Sequence, residues 1–199
     1  MAETLSPSPH APHRLRVGTA GWAIPAPARD AFGDGASNLA RYATRFDCVE
    51  INSSFHRRHR AATWARWGDS VPDDFRFSAK LPKTMTHVQR LADCEELLAE
   101  FIDDVAGLAE KLAIILVQLP PSLAFDPSLA PRFFSALQRS TKAQIACEPR
   151  HASWFDEAPE RFMAEQNIAR VAADPAPVAA AHHVGGAGDW RYWRWHGAP

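Results

Sequence analysis

From Leu15 onward, seven short runs rich in β-branched, aromatic and aliphatic residues recur along the chain: RLRVGTAGW, DCVEINSSF, FRFSAKLP, LAIILVQLPPS, QIACEPRH, IARVAADP and WRYWRWHG. Runs of this texture predict strands. Between them, LARYATRF, AATWARWGDSV, CEELLAEFIDDVAGLAEKL, APRFFSALQRS and PERFMAEQN repeat apolar residues every three or four positions, as helices covering a sheet do. The longest sets Leu97, Phe101, Val105, Leu108 and Leu112 on one stripe. After Asp174, PAPVAAAHHVGGAGD carries too much Pro and Gly for a helix and reads as an irregular connection. LPPS reads as a rigid turn in which a cis bond is one option.

Strand and helix in alternation predict βα units and a parallel sheet, either open and doubly wound or closed into a barrel of eight units. The polar positions separate the two. In the second run Val49, Ile51 and Phe55 share one face, and Glu50, Asn52 and Ser54 the other. In the third, Phe75, Phe77 and Ala79 oppose Ser78 and Lys80; later runs set Glu148 with Arg150, and Arg194 with His196, while Gln118 and Asp174 stand near strand ends. An open sheet sandwiched by helices is apolar on both faces. One face turning polar toward the C-terminal end of each strand suits a barrel interior near its mouth, so the predicted class is α/β, a TIM-barrel-like (β/α) barrel.

Composition narrows the partners. The chain has 199 residues, 46% hydrophobic and 23% charged, with a formal net charge of −1, which fits one globular domain and supplies no overall positive field for nucleic acid or a membrane surface. Any polyanion binding must be local. Cys48, Cys94 and Cys147 lack a metal-type spacing and read as reduced structural thiols, which points to a cytoplasmic protein. Residues 1–13, MAETLSPSPHAPH, read as a flexible tail, neither signal peptide nor membrane helix.

VGTAGW, VEINSSFH, FRFSAKLPKTMTH, ILVQLPPS, EPRHASWF, ADP and YWRWHGAP stand in the order and approximate spacing of the YecE-like family, also called domain of unknown function 72, which the chain resembles over residues 14–199. The resemblance implies a TIM-barrel-like fold and no particular chemistry. Two departures stand out: the sequence stops at Pro199, where the family continues through a helix, an eighth strand and a closing helix, and His56 occupies a position that is more often aromatic. The expectation is therefore seven of eight strands and a truncated barrel domain over residues 14–199.

In a TIM barrel the strand ends and the loops after them build the site. That rule gathers Trp22, Glu50, Asn52, Ser54, Lys80, His87, Gln118, Glu148, Arg150, His151, Trp154, Asp174, Arg194 and His196 around one opening. Lys80, Arg150 and Arg194 suit a phosphate or carboxylate, and Glu50, Glu148 and His196 suit general acid–base work. Trp22, Asn52, Ser54, Gln118 and Asp174 complete the expected ligand-binding set. Glu50, Glu148, Asp174 and His196 also resemble a divalent-metal set, but the three cations nearby raise the cost of a dication, so neither metal nor cofactor is assigned. The alternative for the same charges is a structural salt-bridge lattice. HRRHR at residues 56–60 and His87 with Arg90 form a basic rim that keeps nucleic acid as a less favoured partner beside the small anion, and a truncated, inactive chain is a third reading. No membrane partner is expected, and the oligomeric state is left open.

Overall fold

The structure, a computed structural model, describes residues 14–197; the tail expected at residues 1–13 lies outside the described residues. A short helix α1 (Asn38–Tyr42), begun by Ser37 Oγ accepting from the Ala40 amide, leads into strand β1 (Cys48–Ile51). Helix α2 (Ala61–Asp69) then crosses to β2 (Arg76–Lys80), and α3 (Glu95–Val105), continued by a 3₁₀ segment at Ala106–Lys111, crosses to β3 (Leu112–Gln118). α4 (Leu129–Ser140) leads to β4 (Gln144–Glu148), and α5 (Glu157–Glu165) to β5 (Ala169–Arg170). These five strands pair in parallel and in chain order, the pattern that helical crossovers enforce.

Each strand presents two different faces. Val49, Ile51, Phe77, Ala79, Ile115, Val117, Ile145 and Cys147 join Phe101, Val105, Phe134 and Leu137 in the core beneath the helices. The opposite face carries a smaller apolar floor, Leu116, Ala146 and Val171 packed with Ile114, Trp190 and Tyr192. Strand register lays polar residues around that floor: Glu50 stands opposite Ser78, Lys80 opposite Leu116, and Gln118 opposite Glu148. The alternation read from sequence thus survives as a real polar face. On α3 the buried stripe runs through Leu98, Phe101 and Val105, and Leu97 is only half-buried.

Three expectations are corrected. The run at residues 14–22 forms no strand among the described residues: it touches β1 through one bridge, Ala20 to Glu50, with hydrogen bonds from Gly21 N to Glu50 O (2.8 Å) and from Glu50 N to Thr19 O (3.0 Å). Gly18 allows this approach, since a Cβ there would sit 2.2 Å from the Cys48 carbonyl oxygen, and Gly21 at φ +90° then turns the chain away. The run IARVAADP, expected as one strand, splits at Val171. Its amide still donates to Cys147 O, but Ala172 N donates to Tyr192 O, and β6 (Ala172–Asp174) pairs in parallel with a strand at Trp193–Trp195. The irregular connection contains the pair Gly185–Gly186, strand β7, antiparallel to β5, so the strand at Trp193–Trp195 is β8. The fold class holds as α/β with a mostly parallel sheet; the sheets, one of six strands in the order β1-β2-β3-β4-β5-β7 and one of two, β6-β8, do not close into a barrel among the described residues. The cis bond falls at Asp174–Pro175, outside LPPS.

The sheet is nevertheless strongly curled, because Arg194 on β8 reaches Glu50 on β1, at the far end of the strand order, at 2.9 Å. No helix among the described residues is long and apolar enough to cross a membrane.

Candidate functional site

The polar face divides into two parts. In the first, Arg194 lies between two carboxylates. Its Nε and Nη2 donate to the two oxygens of Glu50 at 2.9 and 3.0 Å, and its Nη1 donates to Glu148 Oε2 and, at 3.4 Å, to Gln118 Oε1. Arg194, Glu50, Glu148 and Gln118 are all buried. The Tyr192 hydroxyl donates to Glu50 at 3.1 Å and bonds Ser78 Oγ at 2.8 Å. Burial works against the Arg194 charge, but Glu50 and Glu148 outweigh it and hold its pKa above the ordinary value. Burial, with Glu50 alongside, pushes the Tyr192 hydroxyl up, so it stays a proton donor. Every Arg194 nitrogen is engaged within the protein.

The second part is not matched. Lys80, only 5% exposed at the end of β2, makes no hydrogen bond or ion pair through Nζ among the described residues, and its ammonium sits 4.1 Å from the Phe55 ring centroid. Burial first, then the Arg194 charge, lowers its pKa to about 8, against the pull of Glu50 and Glu148. Arg150 donates from Nε and Nη2 to Glu148 Oε1 at 3.1 and 2.9 Å, which leaves Nη1 without a partner among the described residues. His87 packs edge-on against Phe55 at 5.0 Å, and burial, then Lys80 and Arg150, lowers its pKa. Three basic side chains thus face two carboxylates, and both carboxylates are bound by arginine. Asn52 adds a buried Oδ1 with no hydrogen-bond partner, one residue past β1 and beside the end of β2.

His87 is held by unusual backbone. It lies on a π-helical turn, Thr84–Val88, and the loop that follows places Arg90, Leu91 and Asp93 at positive φ (53°, 71° and 48°). Such conformations are strained for residues with a Cβ, and they persist only where the surroundings hold them. Here the buried Leu91 anchors the loop, and Arg90 donates to Ser122 O and Oγ at 2.8 and 2.9 Å.

The basic loop is less available than its composition suggests. Arg58 is bound to Glu100 at 2.7 Å and to Asp104, and His59 is buried, meeting Ser53 Oγ at 2.8 Å and packing on Trp64 and Trp67. Only His59 of this run is buried; His56, Arg57 and Arg60 are exposed, and Arg58, exposed too, is committed to its two carboxylates. Beside this loop runs a groove of about 230 Å³ between Phe55, Trp64, Met85, Leu97 and Phe101. Its lining is mainly apolar and its Arg58 rim is compensated by Glu100 and Asp104, so the uncommitted charge near Lys80 marks the better candidate site.

Of the residues expected at the mouth, Glu50, Lys80, Gln118, Glu148, Arg150 and Arg194 share the polar face. Asn52 and Ser54 follow differently from expected, because β1 ends at Ile51: Asn52 has helical φ/ψ and Ser54 sits in a 3₁₀ turn, its Oγ 2.8 Å from Ile51 O and 2.6 Å from Lys80 O, tying the ends of β1 and β2 together. Trp22 packs edge-on against Trp67 at 5.0 Å, and Trp154 is buried in the core with its indole N–H on Leu123 O. Asp174 and His196 are exposed, and no group of three or more His, Cys, Asp or Glu suited to a metal gathers among the described residues. Tyr192 and the contact of Phe55 with Lys80 were missed, although Tyr192 shares the alternation of Arg194 and so carried a signal; Ser78, read on the polar face, lies there but was not counted in the site.

The comparisons with known proteins agree with one another. The model of the family described as protein of unknown function DUF72 matches residues 16–199. The UPF0759 protein YecE of Escherichia coli strain K12 is 31% identical over 153 residues, and that of Escherichia coli O157:H7 is 30% identical; each match covers 74% of this chain. The chain spans 56% of the length of these curated relatives. The crystal structure of a DUF72 family protein from Enterococcus faecalis V583 superposes with a TM-score of 0.74 at 22% identity, over 94% of this chain and 75% of that one. A DUF72 family protein from Thermotoga maritima MSB8 gives a TM-score of 0.68 at 25% identity, over 93% and 75%.

Proposed function

The chain belongs to the DUF72 family, whose function is unknown, and from that premise we propose that it binds a small anion, a carboxylate or phosphate ester, at the C-terminal strand ends of a curled sheet that is an arc of a barrel. One observation carries the reading: Lys80 is a buried cation with no counter-ion among the described residues, while its neighbour Arg194 has two. A buried unpaired charge is costly, and an anionic ligand removes that cost. Arg150 offers its remaining Nη1, and Asn52 Oδ1 suits a hydroxyl of the same ligand. In this reading Glu50 and Glu148 hold Arg194 and Arg150 in place.

The test is thermal unfolding against inorganic phosphate, sugar phosphates and short carboxylates, at low ionic strength. An anion present at a hundred times its dissociation constant adds about 2.7 kcal/mol. The expected result is a raised midpoint that Lys80→Met and Arg150→Met each abolish. A midpoint that no anion moves, or that moves equally in both variants, overturns the proposal.

A further inference from the structure

We infer that the anion bound here also carries an aldehyde or ketone, and that Lys80 captures it as an imine. The inference rests on the anion-binding reading and adds to it the chemical class of the ligand. Lysine becomes a nucleophile when it is desolvated or set beside another cation, because both favour the free amine. Lys80 meets both conditions. It is buried at the end of a strand, its Nζ lies against the Phe55 ring and not against a carboxylate, and Arg194 and Arg150 act on it electrostatically. A simple counter-ion lysine would be expected on Glu50 or Glu148, both of which are bound by arginine instead.

The other three lysines differ. Lys83 is exposed, Lys142 lies at the end of α4, and Lys111 donates to the Gly68 and Val71 carbonyls at 2.8 Å each. None shares the Lys80 surroundings.

The step balances without an added oxidant or reductant. The Nζ lone pair attacks the carbonyl carbon, forming the C–N bond as the C=O π pair moves to oxygen. The carbinolamine oxygen then leaves as water with the two protons given up by nitrogen, and the C=N bond forms. His87, which shares the Phe55 ring with Lys80, has a pKa lowered by burial and by Lys80, and it suits the proton transfer from nitrogen to the departing oxygen.

The experiment incubates the full chain with pyruvate and cyanoborohydride, which reduces an imine to a stable secondary amine, and maps the adduct by peptide mass spectrometry. Each unit by which an amine's pKa is lowered gives about ten times more free amine at neutral pH. Lys80 is therefore expected to be labelled at least tenfold faster than Lys83, and lactate, the same anion without the carbonyl, should protect it. Equal labelling of Lys80 and Lys83, or none at Lys80, overturns the imine. In a parallel arm without reductant, lactate and phosphate are tested for a shift of the unfolding midpoint. A shift with no Lys80 adduct sinks the imine and leaves anion binding standing. Lys80 labelled as fast by neutral acetaldehyde as by pyruvate, with no anion shift, keeps the imine but removes the anion reading on which its ligand class depends, and so overturns the inference as stated.

Discussion

Arg194 and Lys80 are cations on the same curled face, and they have opposite surroundings. Arg194 commits every nitrogen to Glu50, Glu148 and Gln118, whereas Lys80 meets a phenyl ring and no anion. The difference teaches which buried charge is structural and which is left for a ligand. A planar guanidinium fits two carboxylates at once and closes the lattice, so nothing remains on it for an outside anion. An ammonium held away from that lattice is destabilised in the folded protein and regains what it lost only when something binds.

The comparison is broken most forcefully at Arg194. Arg194→Met leaves two buried carboxylates with fewer partners, and a loss of about 3–5 kcal/mol is expected. That lowers the unfolding midpoint by roughly 2–4 °C per kcal/mol. A near-wild-type midpoint would show the lattice to be dispensable. Lys80→Met should act in the other direction: it removes an unpaired buried charge, so the variant is at least as stable as the wild type at pH 7, while the anion-induced shift of about 2.7 kcal/mol disappears.

The pH dependence sharpens the same contrast. The Lys80 pKa is lowered from 10.5 to about 8, so the unfolded chain holds the proton more tightly. Stability from this group is complete above 10.5 and is lost as pH falls through about 8. Between those values the wild type should gain on Lys80→Met, a difference that chemical denaturation at stepped pH reads directly. Smaller effects are expected at the margins. Tyr192→Phe removes the hydroxyl on Glu50 and Ser78 and should cost about 0.5–1.5 kcal/mol in denaturant melts. Arg58→Ala, whose side chain is 59% exposed, should barely move the unfolding midpoint, with no change in the anion-induced shift.

Much of the site was legible in the residues themselves. Polar Glu50, Ser78 and Lys80 alternating with apolar Val49, Ile51, Phe77 and Ala79, and Gln118 closing the otherwise apolar LAIILVQ, announced a face that was neither core nor ordinary surface, and Glu50, Ser78, Lys80 and Gln118 do lie on it. The roles within that face were not legible, because side-chain type names a charge and not its partner. Lys80, Arg150 and Arg194 read alike until β8 returns across the sheet and delivers Arg194 between two carboxylates. At Asn52 and Ser54 only the backbone reading misled: the chain turns helical at Asn52, so alternation no longer places side chains beyond Ile51. β7 left no trace because two glycines carry no side-chain pattern. The run at residues 14–22 has the composition of a strand, but Gly21 diverts it after one bridge.

The most direct test is the titration of the Lys80 amine, followed by NMR of selectively labelled lysine and assigned through Lys80→Arg, with and without phosphate. The account predicts a midpoint near 8 in the free protein and a rise when phosphate binds, since an anion favours the ammonium form. A midpoint near 10.5 that phosphate leaves unmoved would contradict it.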